Sequence, residues 1–262
     1  MRVQPTNGRA AVIYTIAVLV ALTVACAAYL FAPRMSDGDV VFDTAPDRPI
    51  PFGYKMAWLA IRSSEPASVC EALGLVEAVP ANWNSGLGTI YDDELGEHHV
   101  FVSPPVQGWV FVAGLSLPHP VTRSFVDKCT PLLIGLAGRF PDVQYYFTYP
   151  LIDFFAWVRF SNGKLVRAFA INDEGVVWNK GKTTKEEQAL GLKLFELRGV
   201  RGRRGDAGGE MILHPTEDHV MRLAHHWSLD PTMMGAESAP AALGIVAKAP
   251  MSWRPERLRK SA

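Results

Sequence analysis

An Asn-Gly pair at positions 162–163, flanked on both sides by apolar runs, dictates the centre of this fold. Both residues accept positive φ, so the pair favours the two-residue type I′ turn that closes a hairpin. Pairing outward from the turn sets Phe160 against Leu165, Val158 against Arg167, Ala156 against Phe169 and Phe154 against Ile171. The opposite face then carries Phe155, Trp157, Arg159, Val166, Ala168 and Ala170. That face is too apolar for an ordinary wet surface. The hairpin, residues 152–171, is therefore covered on both sides or presents aromatic rings to a partner. In the second case Phe155 and Trp157 form a ridge beside a depression at Ala168 and Ala170, bordered by Arg159. Trp and Arg dominate many binding surfaces, so Phe155, Trp157 and Arg159 are the candidate interaction surface. In the first case a helix of the same chain, starting at Thr122 or Thr216, fills the depression.

The 262 residues are 48% hydrophobic, with 26 basic and 26 acidic side chains. A formal charge of zero argues against nucleic acid as a partner. Residues 10–32 hold no charge, enough for a helix to cross a hydrocarbon core of about 30 Å. Tyr29 and Phe31 lie near its far end, where aromatic rings favour the interface, and Pro33 stops the helix. Two cleaved alternatives stand beside this single-pass anchor: a signal peptide cut near Ala25-Cys26-Ala27, and a lipoprotein signal ending at Cys26. Arg2 and Arg9 precede the span and only Arg34 follows closely, so the positive-inside rule places the following domain outside the cytoplasm. The expected setting is the bacterial inner membrane, with a periplasmic domain.

The remaining chain predicts an α+β domain, an antiparallel sheet with about four helices on one face. Residues 1–9 are a tail, 33–51 an extended Pro- and Asp-rich linker, 52–231 the globular domain, and 232–262 a C-terminal tail. Strands are expected at 54–61, 100–103, 109–113 and through the meander from Val143 to Trp178. Ser64 caps a short helix to Gly74, with Val69, Cys70 and Leu73 on its apolar face. A helix from Thr122 to Gly138 meets Pro131 inside it, and so kinks or breaks there. Residues 82–93 read as turn-rich. Thr184 with Glu187 forms a capping box, and Thr216 caps a last helix to Trp227.

Chemistry-bearing patterns are sparse. Cys70 and Cys129 sit on apolar helix faces, either as buried thiols or as a disulfide. Closing that loop of about 60 residues would stabilise by about 4 kcal/mol. Asp92, Asp93, Glu94, Glu97, His98 and His99 form one acid-histidine group; His214, His219, His225 and His226 form another. Neither has the H-E-x-x-H or zinc-finger spacing of a metal site. Residues 175–183 miss the phosphate-loop spacing by one residue, leaving Lys180 and Lys182 as edge lysines or a weak anion seat. Arg198, Arg201, Arg203 and Arg204 form a basic loop, and residues 253–260 a second basic patch at a frayed end. The sequence assigns no catalytic residue, cofactor or metal.

Several phrases carry a resemblance: Gly53 to Ala60 (GYKMAWLA), Ala81-Asn82-Trp83, Val100 to Pro105 with Gly108-Trp109-Val110, and Trp227 to Pro231. They resemble an uncharacterised group of bacterial proteins over roughly residues 52–231. The resemblance implies an interaction role, as an immunity or accessory protein beside a contact-dependent toxin, and it implies no catalytic residue. The sequence therefore predicts a membrane-anchored, extracytoplasmic protein-interaction module with an unidentified protein partner. The alternative is an envelope hydrolase in which the two acid-histidine groups converge in one cleft.

Overall fold

A computed structural model describes residues 18–24, 41–122, 124–192 and 215–258. The chain divides into two units, Met1–Val41 and Phe42–Ala262. In the first, residues 18–24 are helical with exposed side chains. Among the described residues no helix is long and apolar enough to cross a membrane; the rest of the expected span, Cys26 included, lies outside them.

The second unit is α+β. Among the described residues nine antiparallel strands form one sheet: β1 Ala57–Arg62, β2 Val76–Ala81, β3 His99–Val102, β4 Trp109–Ala113, β5 Asp142–Tyr149, β6 Phe154–Ser161, β7 Lys164–Asn172, β8 Gly175–Gly181 and β9 Gly244–Lys248. Their order is β2-β9-β3-β4-β1-β5-β6-β7-β8. Helices α1 Pro66–Leu73 and α3 Cys129–Ala137 pack on one face; α2 Trp83–Tyr91 and α5 Glu217–Trp227 pack on the other, joined by the region of α4 Lys185–Ala189. Helices thus cover both faces rather than one, which explains why both faces of the central hairpin are apolar.

Asn162 and Gly163 take φ of 49° and 73°, the values a type I′ turn requires. Ser161 pairs with Lys164 and Phe160 with Leu165, as the turn demands. Then Val166 is left over as a bulge, and Arg159 pairs with Arg167, Trp157 with Phe169, and Phe155 with Ile171. One extra residue moves every later β7 side chain to the other face. Phe169 and Ile171 therefore join Phe155 and Trp157, while Ala168 and Ala170 join Phe154, Ala156 and Val158. The expected ridge and depression do not exist. Gly181 lies beside this bulge at φ +82°, where a Cβ would come within 2.4 Å of the Val166 carbonyl oxygen.

The shift also carries Arg167 into the core, fully buried with Glu187. Arg167 Nε donates to both Glu187 carboxylate oxygens at 2.8 and 3.0 Å, and Trp157 Nε1 donates to Oε1 at 2.7 Å. Glu187 Oε2 accepts the Thr184 backbone N–H at 2.6 Å, completing the capping box expected at Thr184. Arg167 Nη1 donates to Asn179 Oδ1 and the Lys180 carbonyl. The Arg167–Glu187 pair thus joins the hairpin, β8 and the start of α4.

Several expected boundaries move. Residues 43–48 of the expected linker belong to the domain: Asp47 accepts the Trp83 and Asn84 backbone N–H groups at 2.6 and 2.9 Å, and the Asp43 carbonyl accepts from Asn82 N. Together with Asn82 Oδ1, which accepts from Ser85 N, these cap α2. The sequence hid α2 behind Gly86 and Gly88; a Cβ on Gly86 would stand 2.1 Å from the Phe101 ring, so the helix needs glycine to reach the sheet. The expected C-terminal tail supplies β9, which lies between β2 and β3. Helix α3 begins at Cys129, not Thr122, so Pro131 sits harmlessly in its first turn.

Removing the Glu187 carboxylate tests this account. Glu187→Ala leaves the Arg167 guanidinium buried without its counter-charge and should cost about 3–5 kcal/mol. Urea titration followed by tryptophan fluorescence reads the loss; a change below about 1 kcal/mol, the value of an exposed pair, would contradict it.

Candidate functional site

Phe155 and Trp157 are buried, and Trp157 lies against Phe169 with ring centroids 4.8 Å apart. Arg159 is half-buried, bound to Asp142 at 2.9 Å, and its guanidinium lies 5.8 Å from the Trp227 ring centre. This corrects the expected interaction surface: two of its residues are core, and the third is a member of an internal network. In that network Gln144 Nε2 donates to Asp142 Oδ1 and to the Trp227 carbonyl, and Tyr146 donates to Gln144 Oε1.

The open surface lies at one end of the sheet, opposite the Asn162-Gly163 turn. There β1, β6 and β3 start while β4, β5 and β9 end, and the connecting segments enclose a groove of about 1270 Å³. One wall holds Asp92, Asp93, Glu97 and His98, directly after α2. Leu115 and His119 come from the segment after β4, Tyr149 from the end of β5, and Met251 and Trp253 from the chain after β9.

Exposed apolar side chains concentrate at this end. Val76, Tyr91, Leu115 and Met251 line the groove while 40–68% exposed. Tyr54 precedes its Lys55, and Leu151 and Ile152, 75% and 48% exposed, follow its Tyr149. Singly such residues are ordinary; here several share one rim.

An aromatic stack backs the groove. His119 lies face-on to Phe147 at 5.6 Å, Phe147 face-on to Tyr149 at 6.3 Å, and Phe154 meets His119 edge-on. Burial lowers the His119 pKa, so its imidazole is neutral at neutral pH. Asp92 is held lower than an ordinary carboxyl by the backbone N–H groups of Leu95 and Glu94. Burial raises the Tyr91 hydroxyl pKa, while that oxygen accepts the Gly53 N–H and donates to the Tyr54 carbonyl.

Among the described residues the two acid-histidine groups do not line one groove. Asp92, Asp93, Glu97, His98 and His99 line the groove, whereas His219, His225 and His226 are not among its walls, and His214 lies outside the described residues. His219 instead takes the third position of the box that caps α5. Among the described residues no group of three or more His, Cys, Asp or Glu side chains is placed to hold a metal ion. Cys70 and Cys129 are buried free thiols. Cys129 stands at the first position of α3, yet burial and the Asp127 charge push its thiol well up. Burial raises Cys70 to about 11. Lys180 lies on edge strand β8 and not at a helix start, while Arg198 to Arg204 lie outside the described residues.

No local motif announced this groove, because its walls come from segments far apart in sequence. Only the acidic run before His98 was visible beforehand. Compared with known proteins, the chain matches no family model, no curated protein and no solved structure.

His119 gives the site a pH signature. Its folded-state pKa lies below the ordinary value near 6.5, so the unfolded chain takes up a proton first as pH falls. Its contribution to stability is complete above about pH 6.5 and is lost as pH falls toward the folded-state pKa. His119→Phe keeps the stack and removes the proton, so the fall in Tm between pH 7.5 and pH 5 should shrink in the variant. An unchanged fall would show that the ring does not titrate with folding.

Proposed function

We propose that this protein is a membrane-tethered, extracytoplasmic protein-binding module whose docking seat is the groove at the open end of the sheet. The observation that carries the reading is the concentration of exposed apolar side chains, Tyr91, Leu115 and Met251 among them, around one concave surface backed by aromatic rings. Burying such a rim supplies a hydrophobic driving force, and the mixed charges around it set orientation and partner choice. The uncharged run at residues 10–32 supplies the tether, and the arginines before it favour a periplasmic domain. The resemblance of the GYKMAWLA and WSLDP phrases points to the same class, an immunity or accessory protein of a bacterial toxin system. An envelope hydrolase is less supported, because among the described residues the two acid-histidine groups that it needed do not line one cleft.

Two measurements test this reading. A photo-reactive side chain placed at Leu115 or Met251 of the full chain in living cells should join both positions to the same protein, and one at Lys164, on the far turn, should not. Leu115→Glu should then weaken binding of that purified protein about 10-fold or more. Equal labelling from both ends of the sheet, or unchanged affinity, rejects the groove. An alkaline phosphatase fusion after residue 262 should be active in intact bacteria. A silent phosphatase with a fluorescent cytoplasmic reporter at the same junction reverses the orientation.

A further inference from the structure

The groove has one wall unlike the others. Residues 251–258, expected as part of a frayed basic end, run back across the domain and pair with the segment before α3. Val126 N–H donates to the Glu256 carbonyl at 2.8 Å, Leu258 N–H donates to the Ser124 carbonyl at 3.1 Å, and Phe125 bridges Arg257 antiparallel. Side chains repeat the match: Lys128 Nζ meets Glu256 at 3.1 Å, and the Arg257 guanidinium lies 5.6 Å from the Phe125 ring centre. Trp253, partly buried, packs against the core beneath the sheet.

This strap is weakly held. Apart from Trp253, every residue from 251 to 258 is exposed. Only two backbone hydrogen bonds pair it with residues 124–126, and its ion pair, with Glu256 65% exposed, is of the salt-sensitive kind. Such a segment opens far more readily than the strands beside it. Yet it is placed as a ligand would be: an extended chain pairing with the backbone of 124–126, a ring toward the core, a carboxylate on Lys128 and a cation over Phe125.

We propose that residues 251–258 are a resident strap that occupies a strand-docking seat on the groove and is exchanged for an extended peptide segment of similar chemistry. The incoming segment carries an aromatic residue and, three positions later, an acidic one that meets Lys128. The proposal rests on the groove being the docking site and adds its regulation: the chain competes with its own partner for Ser124–Val126. Binding is then weaker than the seat alone would give, by the fraction of time that the strap is closed.

The test uses the full chain and two readouts. Hydrogen exchange should be at least about 100-fold faster in peptides covering 124–128 and 251–258 than in β1 and β5. Glu256→Lys places like charges on Lys128 and should accelerate exchange at 124–128 by about 5-fold, leaving β1 unchanged. A synthetic peptide of residues 250–258 with its native glutamate, PMSWRPERL, is the probe. It should bind Glu256→Lys about 10-fold tighter than the unaltered chain, and Lys128→Glu combined with Glu256→Lys should lose that gain. Exchange as slow as in β1, or equal peptide binding to the parent and to Glu256→Lys, overturns the strap. Neither readout uses the partner, so failure of the strap is distinguishable from failure of the groove as a docking site.

Discussion

The bulge at Val166 is the constraint on which much of this domain depends. It turns Arg167 inward, and a guanidinium without water must be met by a fixed counter-charge and by hydrogen-bond acceptors. Glu187 is that charge, and it is also the third residue of the box that starts α4. A single carboxylate therefore serves the sheet, the Trp157 indole and a helix terminus. Geometry explains why the arrangement holds: Oε1 accepts from Trp157 and Arg167, and Oε2 accepts from Arg167 and the Thr184 backbone. Of the three guanidinium nitrogens only Arg167 Nη2 has no partner among the described residues, the remaining cost of keeping the cation inside.

Much of this architecture was legible in sequence, because it rests on local chemistry. Asn162-Gly163 specified its turn, Thr184-x-x-Glu187 its cap, and the apolar face of α1 its Val69, Cys70 and Leu73. What was not legible depends on distance. Alternation cannot reveal a bulge, since Val166 and Arg167 fit either register until Glu187 is known to be waiting inside. The helix α2 was hidden by its glycines, one of which, Gly86, is where the helix comes against Phe101. The candidate site was scarcely visible, because Leu115, Tyr149 and Met251 share nothing but their position at one end of the sheet.

Burial of Phe155 and Trp157 changes where function can reside. The richest aromatic segment of the chain is structural, holding the hairpin between two layers of helices. The exposed apolar surface comes instead from scattered single residues in connecting segments, which a rigid sheet brings to one rim. Connections can vary without disturbing the scaffold, so the groove is the part of the domain whose chemistry can change while the sheet stays the same.

Strand β9 sets the order in which the sheet can be completed. It lies between β2 and β3, yet more than 140 residues of chain separate it from β3. Until residues 244–248 have left the ribosome, β3 lacks one neighbour and β2 has none. During synthesis the first half of the domain therefore presents an open strand edge next to the apolar Val100 and Phe101. Long-range pairing of this kind slows folding and exposes the nascent chain to aggregation. A chaperone that shields strand edges would act on this interval, before the last strand arrives.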